Sequence, residues 1–272
     1  MRAAREYPLI TVVMPVRNSE KTIADALESV TEQDYPSIDL VIVDGASTDS
    51  TLEIVRSFTK LPITLLSEKD SGTSEAINKG VKLAKGELVT LLMADDRFAT
   101  SGTLSRAARV FMQDPELDML FTTGRVYDPN GLVPTREFPS DRANLRRRVS
   151  LNLPGGFFKV RSLDPVMMDT RYKIANDYEF VCRHVIDRQL KIRTIPDVTV
   201  VMRLGGMSGD YRNDFLHSWE KFKIRKHYFG LPYATALAAV AFSVSLLRRL
   251  HFRPYSWVRR LKRTLRISSY SA

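Results

Sequence analysis

The chain has 272 residues and a mass of 31.0 kDa, which is enough to bury a large core in one α/β domain, with or without an extension. Its single cysteine excludes an intrachain disulfide and a cysteine-based metal cage. The net charge of +10 falls to +2 when the eight cationic residues from position 248 onwards are set aside. The basic character therefore belongs to this tail, and nucleic acid is not an expected partner.

The first hundred residues alternate apolar runs with amphipathic ones. Apolar runs predict four strands, at 9–16, 38–44, 62–67 and 87–93, and the first, which is rich in β-branched residues, is expected to be buried on both faces. Amphipathic segments between them predict helices, the first capped by Asn18 or Ser19 and the second by Ser47 or Thr48. Strands joined by helices form right-handed crossover units, so the pattern predicts an α/β fold with a mostly parallel sheet flanked by helices.

The pattern is less regular after residue 100. It predicts two further helices, at 101–113 and 175–189, and three further strands, at 117–126, 155–160 and 195–203. The segment 128–154 contains four prolines and three consecutive arginines, which predicts a long, partly mobile loop.

Acidic residues follow two of the predicted strands. Asp44 ends the second strand, and Asp95 and Asp96 follow the fourth in VTLLMADDRF. Ligands of open α/β sheets bind outside the carboxyl ends of the strands, so these acids are candidates for a binding site. A simpler interpretation of Asp44 is that it holds a turn before Gly45. Two adjacent carboxylates favour a hard divalent cation that also binds phosphate.

Two longer segments contain these acids within an ordered series of motifs. They read TVVMPVRNSEKTIADALESVTEQDYPSIDLVIVDGASTDSTLEIV and EKDSGTSEAINKGVKLAKGELVTLLMADD. Both resemble the matching blocks of the family 2 glycosyltransferases, inverting enzymes with the GT-A fold, and the likeness is closest to bacterial members that build exopolysaccharide, O-antigen or capsule. It covers roughly residues 8–230. The absence of GxxxxGK[ST] and of GxGxxG after any predicted strand disfavours other nucleotide-binding folds.

The resemblance implies roles for residues at the nucleotide. Pro15 would line the base, and Arg17, which replaces an aromatic residue of the family, would meet the base or a phosphate. Asp44 would bind the base or the ribose. Asp70 and Asn78 lie in the block that closes around the nucleotide.

The resemblance also implies a metal site. Asp95 takes the last position of the family's D-x-D signature and would reach Mg²⁺ or Mn²⁺ on the diphosphate. Asp96 would point at the donor sugar or help to hold the metal, and Arg203 would meet the diphosphate. Met93 replaces the first acid of the signature.

An inverting transfer needs a carboxylate that takes the proton of the acceptor hydroxyl. The family keeps this acid in an E-D pair that opens a helix, and the match here is IANDYEFVCR. Asp177 is then the predicted base, with Asn176 in place of Glu. The alternatives are that Asp177 only caps the helix, or that Glu179 is the base in a register shifted by two.

The C-terminal part predicts a helical, amphipathic and basic extension at 231–272 beyond a catalytic domain at 1–230. Its arginines alternate with aromatic and leucine residues, which is typical of a helix in an anionic membrane surface. The alternatives are a spanning helix at 228–247 and a hairpin that packs on the domain or on a second copy in a homo-oligomer. No secretory signal precedes the first strand, so we expect the cytoplasmic face of the inner membrane.

The sequence therefore predicts a metal-dependent, non-processive inverting glycosyltransferase. Its donor would be a nucleotide-diphosphate sugar, with UDP as the expected nucleotide, and its acceptor would be lipid-linked or a saccharide. The alternative is a non-catalytic nucleotide-sugar-binding or scaffold protein of a membrane complex, favoured by Met93 and Asn176, which both replace acids.

Overall fold

The computed structural model describes residues 7–128, 130, 135–138, 140, 151–204 and 214–239. The chain divides into two compact units, Met1–Asp210 and Tyr211–Ala272. The first unit contains a single sheet of nine strands among its described residues.

The first unit begins with four parallel strands and the helices between them. Their bounds are β1 (Ile10–Val16), α1 (Ile23–Thr31), β2 (Ile38–Asp44), α2 (Thr51–Ser57), β3 (Ile63–Ser67), α3 (Thr73–Leu83) and β4 (Leu88–Leu91). β1 pairs in parallel with β2 and β4, and β2 pairs in parallel with β3. The predicted strands and crossover helices of this half are confirmed. Because the four strands run the same way, their carboxyl ends lie along one edge of the sheet, here called the carboxyl edge.

The second half of this unit is mixed. It contains β5 (Arg97–Phe98), α4 (Thr103–Gln113), β6 (Met119–Tyr127), β7 (Arg136–Phe138), β8 (Phe157–Lys159), α5 (Asn176–Val181) and β9 (Ile192–Arg203). A single π-helical segment, Cys182–Asp187, continues α5. The sheet order is β3-β2-β1-β4-β8-β6-β9-β5, with β7 paired to β6.

The prediction of a mostly parallel sheet is wrong for this half. β8 is antiparallel to both β4 and β6, and the β5–β9 and β6–β7 pairs are antiparallel too. Only β6 and β9 pair in parallel among the described strands here. The crossover rule constrains only strands that a helix joins, and no described helix lies between β7 and β8, so the rule does not set the direction of β8.

The predicted helix caps are also wrong. α1 begins after Thr22 and α2 after Ser50, and neither residue makes a side-chain cap bond. The residues expected to cap these helices join the two loops instead. The Asn18 backbone N–H donates to Ser47 Oγ at 2.8 Å, and the Thr48 N–H donates to Asn18 Oδ1 at 2.9 Å.

The core occupies both faces of the sheet. Val12 and Met14 of β1 pack in a cluster with α1 and α4, whereas Val13 packs in a second cluster with α3 and α5. Successive strand residues point to opposite faces, which explains why the central strands are apolar along nearly their whole length.

The second unit contains α6 (Asp214–Phe229), followed after Gly230 by a helical segment at 231–239. Over the residues that the structure describes, no helix combines the length and apolarity required to cross a membrane. The predicted extension from 240 onwards, and with it much of the span proposed at 228–247, lies outside the described residues.

Candidate functional site

Asp44 lies at the carboxyl edge, at the end of β2, and is fully buried. Its carboxylate accepts hydrogen bonds from the Ser47 backbone N–H at 3.1 and 3.2 Å, from Ser47 Oγ at 2.5 Å and from Ser67 Oγ at 2.8 Å. These bonds hold the turn after β2. Asp44 thus has the turn-holding contacts that the simpler interpretation expects, and a contact with base or ribose stays a prediction.

Asp70 lies against this turn. A Cβ atom built on Gly45 would come within 2.6 Å of Asp70 Oδ2, so the carboxylate covers the Gly45 backbone. The other oxygen of Asp70 accepts from the Gly72 backbone N–H at 2.9 Å, just before α3 begins. The structure therefore places Asp70 against the turn that Asp44 holds, and a side chain at position 45 would displace the Asp70 carboxylate.

The remaining residues predicted at the nucleotide differ in exposure. Pro15 is buried in β1 at the level of Val43, and Arg17 is exposed in the loop that follows. Asn78 is buried, and its amide donates to the Met168 carbonyl at 2.8 Å and accepts from the Met168 N–H at 2.7 Å. Both polar ends of Asn78 are thus bonded to the backbone of another segment.

The two adjacent acids differ sharply in exposure. They follow β4 in a turn that is closed by the Asp96 N–H and the Met93 carbonyl at 3.0 Å. Asp95 is exposed, whereas Asp96 is only 6% exposed and accepts from the Arg203 backbone N–H at 3.3 Å. Burial, and then the charge of Asp95, raise the pKa of Asp96 to about 8, while the bond from Arg203 opposes the rise. At neutral pH the Asp96 carboxyl is therefore mostly protonated unless a cation binds nearby.

The chemistry of Asp95 and Asp96 fits a divalent cation that is also bound by oxygens from outside the protein. Among the described residues, no group of three or more His, Cys, Asp or Glu side chains could hold a metal ion. Mg²⁺ typically takes one or two carboxylates and completes its shell with phosphate and water oxygens. Asp95 and Asp96 could supply these one or two carboxylates, and the remaining ligands would be phosphate and water oxygens.

Met93 has a packing role at the position where the family has an acid. Its side chain packs against the second core cluster, which includes Met167 and Phe180. A carboxylate there would face an apolar cluster and lose solvation. The structure thus explains the thioether at this position.

The predicted base lies in the first turn of α5. The helix is capped by Ala175 without a side-chain bond, so the interpretation of Asp177 as N-cap is wrong. Asp177 is partly exposed, and its Oδ1 accepts from the Tyr178 N–H at 2.7 Å. Glu179 is 4% exposed, and its two oxygens accept from the Arg183 guanidinium at 3.0 and 3.1 Å. Of the two candidates, Asp177 is therefore the accessible carboxyl.

Ser74 joins α5 to the carboxyl edge, and nothing in the sequence marks it as a site residue. Asn176 Nδ2 donates to Ser74 Oγ, in the first turn of α3, at 2.5 Å. The two residues are 102 positions apart, and no local pattern distinguishes Ser74 from other serines.

Comparisons with known proteins agree on one family. The model for glycosyl transferase family 2 matches residues 11–169, which is more than half of the chain. A PGL/p-HBAD biosynthesis glycosyltransferase of Mycobacterium bovis is 32% identical over 117 residues, which are 42% of this chain and 46% of the relative. The putative teichuronic acid biosynthesis glycosyltransferase TuaG of Bacillus subtilis is 34% identical over 94 residues, 34% of this chain and 37% of TuaG. The chain thus matches less than half the length of these relatives.

Solved structures show the same fold. A mannosyltransferase, PcManGT from Pyrobaculum calidifontis, in complex with GDP-Man and Mn²⁺, superposes with a TM-score of 0.62 at 21% identity, over 97% of this chain and 81% of that one. Residues 1–349 of S. aureus TarS, in complex with UDP-GlcNAc, give 0.61 at 20% identity, over 96% and 76%. The predicted GT-A-like α/β fold is confirmed at this level.

Proposed function

Because this chain belongs to glycosyl transferase family 2, we propose that it transfers a sugar from a nucleotide-diphosphate sugar to a hydroxyl group, with inversion at the anomeric carbon. The observation that carries the proposal is the placement of Asp95 and Asp96 after β4, at the edge where Asp44 and Asp70 also lie. These acids lie where open α/β sheets bind their ligands, outside the carboxyl ends of the strands.

The donor side is assigned to the carboxyl edge. Pro15, Arg17, Asp44 and Asp70 are proposed to receive the nucleoside, and Arg203 the diphosphate. UDP is the proposed nucleotide, supported by the UDP-GlcNAc complex of TarS, although PcManGT carries GDP-Man. Asn78 is left out of this set because both ends of its amide are bonded to Met168.

Asp95 and Asp96 would hold Mg²⁺ or Mn²⁺ together with the diphosphate. The cation would neutralise the negative charge that develops on the departing nucleoside diphosphate. The Mn²⁺ in the PcManGT complex supports this choice of ion.

Asp177 is proposed as the general base. It accepts the proton of the attacking hydroxyl as that oxygen bonds to the anomeric carbon and the nucleoside diphosphate departs on the opposite face. An accessible carboxylate is required for this step, and the pairing of Glu179 with Arg183 favours Asp177 over Glu179.

The acceptor and the location are proposed from the relatives and the tail. Teichuronic acid and poly(ribitol-phosphate) appear in the names of TuaG and TarS, which supports a role in bacterial cell-surface glycan synthesis. We therefore propose a lipid-linked or saccharide acceptor. The basic segment 231–272 would bind the anionic lipid at the cytoplasmic face of the inner membrane.

Hydrolysis of a panel of UDP- and GDP-sugars in Mn²⁺ tests the proposal without an acceptor. We expect slow, metal-dependent hydrolysis that Asp95→Ala abolishes and that Asp177→Asn reduces by about a hundred-fold or more while UDP binding persists. UDP binding without any hydrolysis would instead favour the non-catalytic nucleotide-sugar-binding alternative. Failure to bind UDP or GDP in Mn²⁺ would overturn the donor assignment.

A further inference from the structure

Two side chains on one face of α3 contact the segment that carries Asp177. Asn176 Nδ2 donates to Ser74 Oγ at 2.5 Å, and Asn176 Oδ1 accepts from the Asp177 backbone N–H at 2.8 Å. One turn further along α3, Asn78 exchanges two hydrogen bonds with the Met168 backbone, at 2.7 and 2.8 Å. Positions i and i+4 of a helix are neighbours, so both contacts come from the same face.

The helix that makes these contacts is seated tightly on the donor half of the sheet. A Cβ atom built on Gly80 would lie 2.4 Å from Val13 Cγ1 and 3.3 Å from Val43 Cγ2. The backbone of α3 therefore lies as close to β1 and β2 as a glycine allows, which fixes its position. The same helix begins just after Asp70, whose carboxylate covers Gly45. α3 thus connects the carboxyl edge to α5 through packed and hydrogen-bonded contacts.

The segment on the other side of the contacts is also internally fixed. The Arg183 guanidinium bonds to both oxygens of Glu179, to the Asp164 carboxylate at 2.7 Å and to the Met167 carbonyl at 2.8 Å. Arg183 therefore bonds α5 and its continuation to the chain at 164–167. The contacts with α3 therefore set the position of α5, and with it the distance from Asp177 to a bound donor.

We propose that Ser74 and Asn176 are positioning residues, which hold the Asp177 carboxylate at the distance from the donor that the transfer requires. The inference rests on the proposed role of Asp177 as base. It gives a purpose to Asn176, which stands where the family has Glu: the amide donates to the Ser74 hydroxyl, adds no charge beside Asp177 and bonds to the first turn of α5. Misplacement of a reacting group by about 1 Å can cost about a hundred-fold in rate, so one such bond matters.

A double-mutant cycle on the full chain tests the positioning. Ser74→Ala, Asn176→Ala and the double variant are compared in hydrolysis of the best donor from the UDP- and GDP-sugar panel with Mn²⁺. We expect kcat to fall by about ten- to a hundred-fold in each single variant and no further in the double variant. The donor KM and the Tm should change little. Ser74→Thr, which keeps the hydroxyl, should retain activity. The control Ser105→Ala removes a partly buried hydroxyl that donates to the Gly102 carbonyl, at the residue just before α4.

Three outcomes would overturn the positioning role: a kcat like that of the control, a multiplicative loss in the double variant, or a loss that follows Tm. The Asp177→Asn variant keeps this failure separate from that of the proposed function. If Asp177→Asn abolishes hydrolysis and Ser74→Ala does not, Asp177 is the base and Ser74 does not position it. If Asp177→Asn hydrolyses normally, the proposed base is itself wrong.

Discussion

The Asp96 carboxyl gives the metal-free protein a specific dependence on pH. Its pKa is raised to about 8, so the folded chain holds a proton that the unfolded chain has lost between about pH 4 and about pH 8. Stability that is present below this window is therefore lost as pH rises through it. Asp96→Asn removes the ionisation, and we expect its Tm advantage over the wild type to grow as pH is raised across this window in EDTA, measured by calorimetry.

The control for this prediction is Asp25→Asn, which changes an exposed carboxyl on α1. An equal trend in that variant would show that the effect is not specific to Asp96. Metal ligands must be deprotonated, so Mn²⁺ with UDP should raise the Tm of the wild type and release a proton. In Asp96→Asn we expect a smaller rise in Tm and no proton release from position 96.

Substitutions of the two α5 carboxyls, Asp177 and Glu179, should have different effects on activity and stability. Glu179 is buried and paired with Arg183, so Glu179→Ala leaves a guanidinium that is mostly buried without one of its partners. We expect a loss of about 3 kcal/mol in the free energy of unfolding, measured in urea. Asp177→Asn should leave the free energy of unfolding nearly unchanged and remove activity. The opposite assignment, with Glu179 as the base, requires Glu179→Gln to inactivate a protein of normal stability.

At the scale of elements, Gly80 sets how closely α3 approaches the sheet. Alanine is the better helix former by about 1 kcal/mol, but its methyl group would lie 2.4 Å from Val13 Cγ1. We expect Gly80→Ala to destabilise the fold by about 1–3 kcal/mol in urea unfolding, because the core is already close-packed. Val13→Ala in the same chain makes room for the methyl, so the double variant should be more stable than the sum of the two single losses predicts.

The sequence predicts the elements that carry a strong periodic pattern. β1 to β4 are recognisable because each is a largely apolar run; β1 and β4 are buried along their whole length, β2 over most of it, and β3 is only partly buried. β5 has only two residues, of which Phe98 is buried, and β7 has three residues that are all exposed, so neither is long enough to show a pattern. Asn18 and Ser47 look like helix caps but bond to each other's loop, because a serine or asparagine before a helix satisfies either role equally well.

At the scale of the whole molecule, pairing between distant segments is what the sequence does not reveal. The parallel half of the sheet follows from crossover helices, whereas the direction of β8 depends on its contacts with β4 and β6. Asp44, Asp95 and Asp96 were identifiable because they follow predicted strands, whereas Asp70 and Asp177 were implied only by the family resemblance. The Ser74–Asn176 bond, between residues 102 positions apart, was not. Met93 shows the same limit, since its packing partners are visible only in the folded chain.

The basic tail should act on the molecule as a whole by binding it to anionic lipid. Each cation near such a surface contributes about 1 kcal/mol, so replacing four of them with glutamine should weaken binding of the full chain to phosphatidylglycerol vesicles by about a thousand-fold. The four are Arg259, Arg260, Lys262 and Arg263. Sedimentation with the vesicles measures this, and added salt should mimic the substitutions because it screens the attraction. The matched control replaces four exposed cations of the first unit, Lys21, Lys69, Lys82 and Arg109. Both variants have the same net charge. An equal loss of vesicle binding in the control would therefore show that net charge, and not the tail, determines the binding.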